Sequence, residues 1–148
     1  MKVELATFRD LDAVVTLLEV QLREHRITTP VDRIRTATQG LVEDAARGRI
    51  LVLRGPDGMV AGVACLSYIF TVEHGGKAAW LEELFVVPAR REKGQGTALL
   101  NASLAQARAD GCRAMDLEID IDHRRVASLY ERHGFRPHTR EHWVRTLD

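Results

Sequence analysis

The chain has 148 residues, of which 45% are hydrophobic and 28% charged, and its 21 basic and 21 acidic side chains give a formal net charge of zero. That size suits one soluble domain over residues 1–148 with one sizeable core. Balanced charge gives no electrostatic footing to binding of nucleic acid or a membrane surface, so neither is expected as a partner.

In chain order, Lys2-Val3-Glu4-Leu5 alternates and reads as a first strand. Asp10 is placed to cap a helix whose apolar stripe is Leu11, Val14, Val15, Leu18 and Leu22. After a polar connection from Glu24 to Thr29, Pro30 suits the first position of a second helix, with Ile34, Ala37, Leu41 and Ala45 as its buried stripe and Gly48 as its end. Ile50–Leu53 is a continuous apolar strand, and Gly55-Pro56-Asp57-Gly58 suits a type I turn. Met59–Phe70 completes a hairpin, Glu73-His74-Gly75-Gly76 turns again, and Ala79–Val87 is a fourth strand. Beyond it, Leu100, Leu104 and Ala107 recur at helical spacing and Gly111 suits a C-terminal cap. Cys112–Ile121 reads as a fifth strand, and Val126, Leu129 and Tyr130 suggest a short helix ended by Gly134. Trp143–Leu147 reads as a last strand, with room for a further short one near Phe135.

The densest stretch runs from Leu81 to Thr97. An apolar strand ends at Pro88, a basic segment carries Arg90, Arg91 and Lys93, and Gly94 and Gly96 precede the helix. A strand, a glycine loop and a helix start aim unpaired N–H groups and the positive end of a helix dipole at one spot, which suits phosphate. Cys65 and Cys112 sit in apolar runs without a C-x-x-C partner and read as reduced residues of a cytoplasmic protein. The absence of a long apolar stretch leads to the expectation of no signal peptide and no transmembrane helix.

Arg91-Glu92-Lys93-Gly94-Gln95-Gly96 matches the pattern [QR]-x-x-G-x-[GA], and Ala127-Ser128-Leu129-Tyr130-Glu131-Arg132-His133-Gly134-Phe135 matches A-x-x-L-Y-E-x-x-G-F. With Leu81–Val86 as the preceding strand, the chain resembles the GNAT superfamily of GCN5-related N-acetyltransferases along its whole length. The resemblance implies an α/β fold. Its sheet is mixed, mostly antiparallel and six- to seven-stranded, flanked by about four helices, with the fourth and fifth strands splayed at a bulge. It also implies acetyl-CoA as co-substrate in that cleft, without a metal. The N–H groups of Glu92, Lys93, Gly94, Gln95, Gly96 and Thr97 would hold pyrophosphate, and Arg91 would add charge. The backbone of Leu84, Phe85 and Val86 would pair with pantetheine, and residues from His123 to Val126 would line its far side. His123 stands where the family often carries Asn.

Acetyl transfer to an amine needs a proton acceptor, because a primary amine with pKa near ~10 is mostly ammonium at neutral pH. By the resemblance, Glu82 is that base, directly or through a water, with Glu83 as its competitor. Adjacent strand residues face opposite sides, so only one of the two can point into the cleft. Tyr130 is the candidate general acid for the thiolate. Glu24, His25, Glu73 and His74 fall in the two regions that border the acceptor site in such folds, and Glu118, Asp120 and Asp122 add an acidic stretch. The acceptor is expected to be a small molecule or peptide amine, and a homodimer is compatible with the resemblance.

His138-Thr139-Arg140-Glu141-His142 also fits H-x-x-E-H, a zinc-protease pattern, but that chemistry needs a helix and a third ligand, so no metal is expected. Two other readings compete with the enzyme. One is a non-catalytic acyl-CoA-binding regulatory module. The other is a nucleotide-binding protein, against which stands the lack of G-x-x-x-x-G-K-[ST] and of a full G-x-G-x-x-G.

Overall fold

The computed structural model describes residues 1–91 and 94–148. The chain forms two compact units, Met1–Glu118 and Ile119–Asp148. In the first, β1 (Lys2–Leu5) leads through a 3-10 turn (Phe8–Asp10) to α1 (Leu11–Glu24) and α2 (Val31–Glu43). Then come β2 (Gly48–Arg54), β3 (Val60–Thr71), β4 (Gly76–Val86), a 3-10 turn (Pro88–Arg90), α3 (Gln95–Ala109) and β5 (Met115–Asp116). The strands lie in chain order in one sheet, antiparallel except for the parallel pair β4–β5. The second unit holds the 3-10 segment Ile121–Val126 and α4 (Ala127–Arg132).

Both sheet faces are covered, which explains why β2 reads as a continuous apolar run rather than an alternating one. On one face α1 and α2 bring Val14, Val15, Leu18 and Ile34 against Ile50, Val52, Val63, Cys65 and Phe85. The alternate residues Leu51, Leu53, Ala64 and Leu66 are buried on the other face, where α3 packs with Leu99, Leu100, Ser103 and Ala107. Losing a side chain such as Leu99 to Ala would cost about 2–5 kcal/mol. The buried hydroxyls of Ser103 and Thr38 each return a hydrogen bond to their own helix, at Leu99 O and Ile34 O, so neither is an orphan.

Helix ends follow the glycines. At the end of α3, Gly111 takes φ +85, its N–H donates to Arg108 O, and the Cys112 N–H donates to Ala107 O. The same pattern closes α4 at Gly134 and Phe135. The end of α3 is also tied to the sheet: Arg49 Nε and Nη2 donate to the Asp110 carboxylate at 2.8 and 3.0 Å, joined by Tyr68 Oη and Gln106 Nε2. Arg49, above all, holds the Asp110 carboxyl well below the usual range, and burial pushes the Tyr68 phenol up.

Several expectations need correction. The sheet has five strands among the described residues, not six or seven. The expected strand Cys112–Ile121 is paired only at Met115–Asp116, and neither Trp143–Leu147 nor the region of Phe135 forms a strand. A β-rich composition supplies a face but not a neighbour. Trp143, Val144 and Leu147 are 84%, 78% and 91% exposed, so nothing rewards their ordering. Helix α2 stops at Glu43, its first residue is Val31 rather than Pro30, and it buries Thr38 while Ala37 and Ala45 are exposed. Asp10 is the N-cap residue of α1, as expected, but its carboxylate does not bond that helix: it accepts from the Thr7 N–H at 2.9 Å and from Arg54 Nη2 at 3.0 Å. The two cysteines are free thiols; Cys65 is buried and Cys112 half-buried. No described helix is long and apolar enough to cross a membrane.

Candidate active site

The register of β3 with β4 pairs Leu66 with Leu81 and Cys65 with Glu83, which leaves Glu82 as the extra residue of a bulge. A regular strand would send Glu82 and Glu83 to opposite faces. The bulge cancels that alternation. Glu83 stands opposite Cys65, and the exposed Glu82 carboxylate accepts a hydrogen bond from Ser67 Oγ at 2.9 Å. Ser67 and Cys65 are two residues apart on β3 and share a face, so both carboxylates lie on that face. Their charges reach the Cys65 thiol, which burial first and then Glu82 and Glu83 push well up. The expectation that only one of the two acids can face this side is therefore corrected.

At the same bulge the sheet opens. β5 accompanies β4 only at Ala79↔Met115 and Trp80↔Asp116, whereas β4 runs on to Val86. Among the described residues, the pairing of β4 with β5 ends at Trp80↔Asp116, so the β4 edge beyond it has no paired strand. The Val87 N–H donates to Ala61 O at 2.9 Å. Main-chain groups alternate between the two edges of a strand, so those of Leu84 and Val86 face the edge away from β3 while those of Phe85 face β3. Phe85 itself is a buried core residue. The Val86 carbonyl accepts from Arg91 Nε at 2.7 Å, and the Arg91 guanidinium lies 5.3 Å over the Phe85 ring. Arg91 thus braces the end of β4.

Glu92 and Lys93, two of the expected phosphate-loop residues, lie outside the described residues. Gly94 is the N-cap of α3 at φ +73, a backbone region that favours glycine. Among the described residues no side chain caps this helix, and its own geometry gives the N–H groups of Gln95, Gly96 and Thr97 no helical partner; the Ala98 N–H is bonded to Gly94 O. A Cβ built on Gly96 would meet no atom within 4 Å. Packing among the described residues does not require glycine there; it leaves the start of the helix uncovered by them, an arrangement suited to a phosphate group.

Other expected residues are placed less tightly. A cavity of about 310 Å³ lies between the end of α1 and the start of α2, lined by Glu19, Leu22, Ile27, Pro30 and Ile34 among others. Glu24 is exposed and His25 half-buried beside that region. Glu73 is exposed, and His74 Nε2 lies 2.8 Å from Asp116 Oδ2.

His123 is half-buried within the 3-10 segment, breaks its dihedral pattern at φ −121, and has Nδ1 3.8 Å from Asp120 Oδ2. Val126 caps α4. Tyr130, half-buried on α4, meets the Phe135 ring edge-on with centroids 5.8 Å apart. Glu118, Asp120 and Asp122 are exposed. His138–His142 is not helical, so the zinc-protease arrangement is not formed there. Sequence reasoning missed Ser67 and Asp116, because both matter only through the strand register and the bulge.

The acetyltransferase (GNAT) family profile matches residues 11–135. Over 88 residues the chain is 33% identical to an aminoglycoside N(6')-acetyltransferase type 1 of Klebsiella aerogenes, covering 58% of each chain. Over 92 residues it is 35% identical to a mycothiol acetyltransferase of Stackebrandtia nassauensis, covering 62% of this chain and 28% of that one. Over 59 residues it is 39% identical to the uncharacterized N-acetyltransferase YhfO of Bacillus subtilis, covering 40% of each. The matched segments therefore span less than two thirds of these curated relatives. Among solved structures, an integron cassette protein from the mobile metagenome of Cole Harbour Salt Marsh superposes with TM-score 0.83 at 26% identity, covering 99% of this chain and 90% of that one. A probable acetyltransferase superposes with TM-score 0.85 at 17% identity over 100% and 99% of the two chains, a likeness of fold alone. With a family match that takes in α1 through α4 and a sheet opened at the β4 bulge, the chain belongs to the acetyltransferase (GNAT) family.

Proposed function

We propose that this protein is an acetyl-CoA-dependent N-acetyltransferase that moves an acetyl group to a primary amine of a small molecule or peptide by direct attack on the thioester. The observation that carries the reading is the bulge at Glu82, where β5 leaves β4 and a carboxylate stands beside the opened strand edge. The outward main chain of Leu84 and Val86 offers pantetheine an added-strand position. The bare N–H groups of Gln95, Gly96 and Thr97 offer pyrophosphate a seat. His123 and Val126 would contact the coenzyme.

In this reading Glu82 accepts a proton from the amine, directly or through a water. The Val86 N–H, turned to the open edge, would bind the developing oxyanion; such a donor is worth about 10²–10³ in rate. Tyr130 would protonate the departing thiolate. The match to relatives named for acetyl transfer supports the chemistry, and the two free thiols agree with a cytoplasmic setting.

The test is a thiol-release screen over polyamines, aminoglycosides, amino acids and peptide N-termini, run beside equilibrium binding of acetyl-CoA. Turnover with at least one amine is expected. Tight binding without turnover on any amine would favour the non-catalytic acyl-CoA-binding module, and absence of binding would overturn both.

A further inference from the structure

The His74–Asp116 pair has no part in that scheme, yet it stands on the same face of the sheet. His74 lies in the turn between β3 and β4, where its main-chain N–H donates to Thr71 Oγ1 at 3.0 Å and its Nε2 lies 2.8 Å from Asp116 Oδ2. The two side chains are 31% and 39% exposed, so solvent and solutes reach the pair. Asp116 is paired with Trp80, and Trp80 with Ser67. Residues paired across a sheet share a face, so Asp116, Trp80 and Ser67 form a row on one side. Ser67 in turn donates to Glu82. Strand spacing puts the main chains of Asp116 and Ser67 about 10 Å apart, with the indole between them.

Proton stoichiometry asks for more than one acceptor. A primary ammonium sheds two protons from nitrogen on becoming an amide, and Glu82 accounts for one. A carboxylate on Nε2 fixes that nitrogen as the donor and presents Nδ1 as the proton acceptor. We propose that His74, oriented by Asp116, is a second proton acceptor for the acceptor amine. His74 Nδ1 takes the proton that turns R–NH3+ into R–NH2. The nitrogen lone pair then forms the N–C bond, Glu82 takes the second nitrogen proton, and the C–S bond breaks with its electron pair going to sulfur. The thiolate receives one proton and one is released to solvent, so ammonium plus thioester gives amide, thiol and H+. The imidazolium formed on the way is stabilised by the Asp116 carboxylate it touches. The other charged groups around it are Arg113, whose Cδ lies against Gly76, Glu73 beside it in the turn, and Glu82 on the same face of β4.

The inference rests on the acetyltransferase reading, and the experiment separates the two. His74→Ala, His74→Gln and Asp116→Asn are compared with the wild-type protein by thiol release and by calorimetric binding of acetyl-CoA. Both His74 variants are expected to bind acetyl-CoA as the wild type does and to lose about 10²-fold in turnover. Added imidazole is expected to restore His74→Ala in proportion to its concentration. Asp116→Asn, which leaves the imidazole in place but misoriented, is expected to lose less. Wild-type turnover in His74→Ala would overturn the proposal and leave the acetyltransferase reading standing. So would a loss that imidazole does not restore, or a loss of acetyl-CoA binding in both His74 variants, which would make His74 a structural residue. A wild-type protein inactive on every amine would overturn the reading and this proposal together.

Discussion

Ser67 Oγ donates to the Glu82 carboxylate at 2.9 Å across a bulge that gives Glu82 no register partner on β3. The hydroxyl fixes the rotamer of an otherwise exposed acid. Glu82→Gln is therefore expected to lower turnover by about 10²-fold or more, the usual worth of a positioned base. Ser67→Ala removes only the orienting bond, worth about 1 kcal/mol, and should cost about fivefold. Thiol release at saturating acetyl-CoA measures both, and an active Glu82→Gln would remove Glu82 from the proton path.

Gly96 separates stability from binding. It is the second residue of α3, and a Cβ there meets open space. Ala in place of Gly in a helix gains about 0.5–1 kcal/mol, so Gly96→Ala should melt at a higher temperature than the wild type. The same methyl group would occupy the proposed pyrophosphate seat and weaken acetyl-CoA binding by about tenfold, or 1.4 kcal/mol. Calorimetry and a thermal melt read the two effects independently. Unchanged affinity in the more stable variant would contradict the assigned loop.

Sequence pattern made legible what depends on neighbouring residues, and not what depends on strand register. Gly111 and Gly134 announced the ends of α3 and α4, because a left-handed residue at a helix end is a local requirement. The glycine loop and the apolar stripe of α1 were local in the same sense. A bulge where the fourth and fifth strands part is an expectation of the family resemblance alone, and its position at Glu82 comes only from the strand register. Which side its two acids take depends on how twelve residues of β3 slide against eleven of β4, which no periodicity in β4 alone reveals. Trp143–Leu147 fails for the converse reason: a segment rich in β-forming residues needs an edge to join, and its exposed side chains find none among the described residues.

The Asp110 cluster predicts an acid-side loss of stability. Arg49, first among its causes, holds the folded-state carboxyl below its ordinary value. A depressed carboxylate contributes stability that is present above the unfolded-state pKa and is lost as pH falls through that range. Chemical denaturation from pH 7 down to pH 3 (about the range of an ordinary aspartate) should show this decline. Arg49→Met should destabilise the protein at neutral pH by about 1–3 kcal/mol and flatten the acid slope. An unchanged slope would mean that other carboxylates govern it.

Arg26 offers a stabilising change. It closes α1 at φ +60, with the Ile27 N–H on Leu22 O, a position where glycine is the unstrained residue. Relief of the left-handed penalty is worth about 1–2 kcal/mol, while the added freedom of glycine in the unfolded chain costs about 0.5–1. Arg26→Gly should therefore raise stability by about 0.75 kcal/mol, the difference of the central values of those terms, read from the denaturation midpoint.

Tyr130→Phe isolates a hydroxyl. The Tyr130 ring meets Phe135 edge-on at 5.8 Å, and that contact joins the third residue before the α4 cap to the residue after Gly134. Phenylalanine keeps the ring and its edge-on contact with Phe135 at the end of α4, and a thermal melt reads any change in stability separately. If the phenol protonates the leaving thiolate, turnover should fall by about 10²-fold while the affinity for acetyl-CoA stays the same. The loss should shrink with an acetyl thioester of a more acidic thiol, because a better leaving group needs less help from a proton donor. Equal losses with both thioesters would mean that the hydroxyl positions the co-substrate rather than delivering a proton.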